Sequence, residues 1–127
     1  MSRFFWICAA GAVGTGARYL ISGWALAALG AGFPYGTLAV NVVGSFLMGI
    51  VMQVGLATPI LSPTLRMTLA TGFIGGFTTY STFNFETIRL VQTGAWKLAV
   101  GNVAITLVTC FTAGLAGIAL GRSLFGG

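Results

Sequence analysis

Charge is what this chain most lacks. Only 6% of its 127 residues are charged, where soluble domains carry about 25%. A single acid, Glu86, stands against six Lys and Arg. A surface this poor in charge would expose large apolar patches and aggregate in water. Histidine is absent, and the two cysteines, Cys8 and Cys110, sit apart inside apolar stretches with no CxxC spacing. That argues against a zinc cluster, a redox pair and a disulfide, and each cysteine reads as a small buried hydrophobe. No P-loop, His/Cys cluster or nucleophile with a base is present, so the sequence is not that of an enzyme. Nucleic-acid binding is disfavoured too. It needs clustered cations, and Arg3, Arg18, Arg66, Arg89, Lys97 and Arg122 are scattered.

What is abundant is hydrocarbon, at 57% apolar residues and a mean hydropathy of +0.98. Turn residues cluster at 30–34, at 57–63 and at 93–95, and all three prolines fall in these clusters. Four apolar stretches lie between them, at 4–29, 35–56, 65–92 and 97–120. About 20 helical residues cross the hydrocarbon, so each stretch is long enough. The first 14 residues resemble a signal peptide. However, the apolar run continues towards Leu29, too long for a leader, and is read as the first membrane helix. The expectation is an all-α membrane protein, one domain over 1–127, embedded in a lipid bilayer. Four crossings put Arg3, Arg66 and Arg122 on one side, and Arg89 and Lys97 on the other. So small a bias under the positive-inside rule is compatible with insertion in both orientations, and hence with an antiparallel dimer.

The third helix is expected to be broken at mid-membrane, near Gly75–Thr79. Two adjacent glycines are followed by two β-branched threonines there, and both residue types weaken a helix. Broken backbone at that depth survives only inside protein or along a cavity, where its carbonyls can bind cations. Gly72-xxx-Gly76 and Ala113-xxx-Gly117-xxx-Gly121, with Gly11, Gly14 and Gly16 on helix 1, mark close helix contacts.

Polar residues recur at helical spacing. Thr37, Asn41, Gly44 and Ser45 share a face of helix 2, which continues as Met48 and Met52. Thr82, Phe83 and Glu86 share an arc of helix 3, with Tyr80 one turn below Phe83. Asn102, Thr106 and Thr109 line helix 4. Such groups serve as interhelical glue, or as a donor-rich path suited to an anion. Arg18 lies deep in helix 1, where a cation needs water or a partner. Drawing anions into a vestibule and pairing with Glu86 both fit, and Glu86 also has Arg89 one turn away. Tyr80 and Phe83 read as a core aromatic pair, or as rings presenting positive edges to a dehydrated anion.

Three motifs in order resemble the Fluc (CrcB) family of fluoride channels over nearly the whole chain. They are GAVGTGARY at 11–19, GTLAVNVVGSF at 36–46 and GFIGGFTTYSTFNFE at 72–86. The resemblance implies an antiparallel dual-topology homodimer in a bacterial inner membrane, with two fluoride pores that let the ion leak out passively. It implies a structural sodium ion at the dimer centre, held by backbone carbonyls of Gly75 and Thr78. It also implies an anion path through Asn41, Tyr80, Phe83, Ser81, Thr82 and Glu86, with Arg18 from helix 1; Thr37, on the Asn41 face, is placed with them. Tyr80 departs from the pattern, which typically has phenylalanine there. The alternative reading is a small dual-topology proton-coupled exporter of cationic compounds. It needs a central carboxylate, whereas Glu86 lies late in helix 3.

Overall fold

The computed structural model describes residues 1–126, and among these every regular element is a helix. That is the open-chain solution to lipid, where backbone groups must be satisfied internally. Helix α1 spans Ser2–Leu29 and α2 spans Tyr35–Ala57, and both are long and apolar enough to cross a membrane. The third crossing comes in two pieces. Helix α3 (63–77) begins as Pro63–Met67, widens into π-helical Thr68–Ile74, and closes on the turn Gly75–Phe77. Helix α4 follows as Tyr80–Gln92, and α5, again of spanning length, covers Trp96–Phe125. Neither α3 nor α4 reaches the length of about 20 residues that a span needs, but end to end they do.

The helix ends follow from the expected turn clusters. Gly30 and Gly94 take φ of 82° and 83°, a left-handed backbone that glycine adopts without strain. Ser62 caps α3 by accepting from the Leu65 N–H at 3.1 Å, and Pro63 fills the first helical position, where no donor is missed. Thr79 caps α4 in the same way, its Oγ1 accepting from the Thr82 N–H at 3.2 Å.

The break falls at the far edge of the expected window. Thr78 and Thr79 are extended, with ψ of 159° and 113°, while Gly75 and Gly76 stay helical. Gly75 donates back five residues to Ala70 O, the wide turn of a π-helix. The glycines serve contact rather than disruption. A Cβ on Gly76 would strike Gly11 O, and one on Gly14 would strike Phe73 O. Together with Gly72 against Ile7, these contacts close an α1–α3 seam. A second seam joins α2 to α5, with Gly49 against Gly114 O and Gly117 against Phe46 O. Gly16, by contrast, meets nothing within 4 Å, so the expected contact at that position is absent.

Polar end-groups tie the bundle together. Arg3 Nε donates to Thr64 Oγ1 at 3.3 Å, fixing the start of α1 on the start of α3. Arg66 Nη1 donates to Gly55 O at 3.2 Å, so Arg3 and Arg66 lie at one end, as expected. The outer surface is apolar, including Trp24 at 68% and Phe111 at 72% exposure, which only an apolar solvent tolerates. This is a multi-pass membrane protein. Cys8 is on that outer surface and Cys110 is half-buried, so the expectation of two buried cysteines is corrected. A thiol meets lipid as readily as a methyl group does.

Candidate functional site

The break is held by one side chain of α2. Asn41 Oδ1 accepts from the Thr79 N–H at 2.8 Å, and Asn41 Nδ2 donates to Thr79 O at 3.1 Å. The carboxamide thus pairs with an extended residue as a neighbouring strand would. A carboxamide nitrogen carries two hydrogens, which leaves one N–H of Asn41 for the recess it lines. Below it, Gly44 lets Thr78 approach, because a Cβ there would overlap the Thr78 methyl.

Diverting these donors frees backbone oxygens. In a continuous helix the Thr79 N–H would go to Gly75 O and the Thr82 N–H to Thr78 O. Here the first goes to Asn41 and the second to Thr79 Oγ1. The carbonyls of Gly75 and Thr78 have therefore lost their helical partners, and neutral oxygens of this kind suit a hard cation such as sodium. No group of three His, Cys, Asp or Glu side chains is gathered for a metal among the described residues.

Gly76 O, between the two, is taken by Arg18, whose Nε donates to it at 3.1 Å. The cation of α1 thus sits at the carbonyl end of α3, where a positive charge is stabilised by the helix dipole. Arg18 is anchored by the break rather than by Glu86. Glu86 Oε1 is buried without a hydrogen-bond partner, and Arg89 lies over the Phe85 ring at 6.0 Å.

Two recesses flank the break. The larger, about 780 Å³, is lined by Asn41, Ser45, Met48, Thr78, Tyr80 and Phe83 with apolar residues of α2 and α5. The smaller, about 620 Å³, holds Thr15, Arg18, Thr37, Thr82, Glu86 and Arg89. The expected site is therefore divided. Tyr80 and Phe83 face one recess, their ring centroids 5.8 Å apart and tilted by 57°, and Thr82 and Glu86 face the other. The expected shared arc of Thr82, Phe83 and Glu86 is corrected accordingly. Adjacent residues on a helix diverge by about 100°, so Thr82 and Phe83 part, and Glu86, one turn on from Thr82, lines the recess of Thr82. Ser81 lines neither recess, and its hydroxyl lies 3.5 Å from Thr79 Oγ1. Thr109 turns its hydroxyl onto Ile105 O of its own helix, apart from Asn102 and Thr106.

Comparison with known proteins decides the family. The family model described as "CrcB-like protein, Camphor Resistance (CrcB)" matches residues 5–118. The chain belongs to the CrcB family. A relative from Sorangium cellulosum, named fluoride-specific ion channel FluC, is 54% identical over 127 residues, all of both chains. Another of that name from Anaeromyxobacter sp. is 48% identical over 126 residues, 99% of this chain and all of its own. A third, from Citrifermentans bemidjiense, is 44% identical over 124 residues, 98% of this chain and all of its own.

In this CrcB protein the residue missed by sequence reasoning is Thr79, which is the helix cap and the partner of Asn41 at once. Its signal was present: a threonine placed just where the helical pattern restarts after a glycine pair is a cap candidate.

Proposed function

We propose that this chain is a fluoride-selective channel that passively exports cytoplasmic fluoride across a bacterial inner membrane. The observation that carries this reading is the break clamped by Asn41. It sets a spare amide N–H and an aromatic pair around one recess. Fluoride sheds water at great cost, so a path must offer donors in its place, and this recess offers them without a carboxylate. Relatives named fluoride-specific ion channels, matched over nearly their full length, support the choice of anion.

The same reading includes an antiparallel homodimer with two pores and a structural sodium ion. Gly75 is exposed on the single chain although its carbonyl has lost its helical donor. Unsatisfied backbone facing lipid costs several kcal/mol, as an order of magnitude. A second copy covering that face would remove the cost, and its own Gly75 and Thr78 carbonyls would double the oxygens available to sodium. Thr37, Thr82, Glu86 and Arg18 would then form the approach to the pore, with Ser81 beside the cap.

Reconstituted liposomes loaded with fluoride test the function, with chloride as the control. Fluoride release without chloride release is expected, and release of both or of neither overturns the proposal. Glu86→Gln separates it from the proton-coupled exporter. The channel keeps a fluoride flux that is independent of a proton gradient, whereas the exporter would lose proton-driven flux of organic cations.

Tyr80 is 76% exposed, so its hydroxyl adds a group at the recess mouth rather than filling the core. Tyr80→Phe is expected to leave fluoride selectivity intact and to change the single-channel current, because the ring edge stays and a donor is lost. Loss of selectivity in that variant would contradict the role given to the ring.

A further inference from the structure

Half-helix α4 carries the aromatic pair, Thr82 and Glu86, yet the break has cut it from α3. Asn41 pins its leading end through Thr79. Along its length α4 packs chiefly on α5, and a hydrogen-bonded chain crosses that contact. Thr106 Oγ1 donates to Asn102 Oδ1 at 3.4 Å, and Asn102 Nδ2 donates to Thr87 Oγ1 at 2.9 Å. Thr87 Oγ1 then donates to Phe83 O at 2.7 Å. Asn102 is 1% exposed, as deeply buried as any polar side chain among the described residues.

We infer that Asn102 and Thr87 are positioning residues that set the roll of α4, and with it the direction in which Phe83 presents its ring. This rests on the fluoride-channel reading for the importance of Phe83, but not for the existence of the pin. A threonine bonding back to the carbonyl four residues earlier tends to bend a helix. Here the same hydroxyl also accepts a hydrogen bond from another helix, so its place against α5 is fixed. The amide of Asn102 is satisfied on both sides, as a buried carboxamide must be. Rotating α4 about its axis would break the Asn102–Thr87 link first and carry Phe83 and Glu86 away from their separate recesses together. One pin thus holds both faces in register.

The test uses the full chain in liposomes, with 4-fluorophenylalanine at position 83 read by fluorine NMR. Thr87→Val keeps the shape and removes the hydroxyl, and Thr87→Ser keeps the hydroxyl. Thr87→Val is expected to shift or broaden the Phe83 resonance and slow fluoride efflux about tenfold, one power of ten in rate, while Thr87→Ser leaves both near the parent values. Asn102→Leu, which keeps the branch at Cγ and removes the amide, is expected to reproduce the valine variant and serves if that variant does not fold. An unmoved resonance in a folded Thr87→Val or Asn102→Leu protein overturns the inference, whether or not efflux falls. A parent protein that passes no fluoride would overturn the channel reading alone, because the resonance still reports the pin.

Discussion

Replacing Asn41 with leucine is expected to cut fluoride flux about thirtyfold or more, because it unmakes the break and not merely a donor in the path. Leucine keeps the branch that asparagine has at Cγ, so the α2 face stays filled. What disappears is the pair of bonds at 2.8 and 3.1 Å to the Thr79 backbone. Leaving a buried polar group unpaired costs about 1–3 kcal/mol, so losing both partners disfavours the extended Thr79 by about 2–6 kcal/mol. The freed Thr79 N–H finds its nearest alternative in Gly75 O, the bond of a continuous helix. The half-helices then tend to fuse, and Tyr80, Thr82 and Glu86 leave their recesses together. A shift of this size lowers the population of the competent state by about thirtyfold or more. Fluoride efflux from liposomes measures the loss, and amide exchange at Thr79 reports the backbone change directly. Flux close to the parent value would show that Asn41 does not hold the break. Asn41→Asp is the informative companion, since a carboxylate keeps the acceptor for the Thr79 N–H but loses the donor to Thr79 O.

A second large effect is expected from one methyl group on helix α1. Gly14→Ala places a Cβ in overlap with Phe73 O, at 3.0 Å from Phe73 C and 3.1 Å from Phe77 N. All three are backbone atoms of α3, which no rotamer change can move aside. Overpacking of a tight core costs about 1–3 kcal/mol and sometimes more, and a clash between two backbones belongs at the upper end. Gly16→Ala, two residues along, meets nothing within 4 Å, and gains about 1 kcal/mol of helix propensity. Thermal unfolding in detergent should thus separate two chemically identical changes in opposite directions. Equal melting of the two variants would contradict the α1–α3 seam.

The same pair of glycines shows where sequence reasoning reaches its limit. Gly11, Gly14 and Gly16 are equivalent by composition, and only the roll of α1 against α3 decides that Gly14 is in contact and Gly16 is not. The helices themselves were legible, because each apolar stretch is bounded by glycine or proline with no competing signal. The existence of a break was legible from the run of glycine and threonine. Its position at Thr78–Thr79 was not, since both residue types weaken a helix and propensity alone does not rank them. What ranks them is contact with other elements: Gly76 is pressed against α1, and Thr79 is claimed by Asn41 from 38 residues away. Arg18 is a similar case. Its depth in helix 1 signalled a need for a partner, and charge pointed to Glu86, but the partner is a carbonyl that becomes available only because the helix is broken. The division of Thr82 and Phe83 between two recesses follows from helical geometry. It needed only a stricter reading of the angle between neighbours.

The two glycine seams have a mechanical consequence. Where backbone lies directly on backbone, no layer of side chains remains to yield, and the joined helices cannot slide past one another. The molecule is therefore two stiff plates, α1 with α3 and α2 with α5, and α4 packs on the second of them. Whatever breathing the protein undergoes at physiological temperature is concentrated along the line between the plates. Asn41 and Thr79 lie on that line, so thermal motion in this molecule works first on the joint that keeps the helix open.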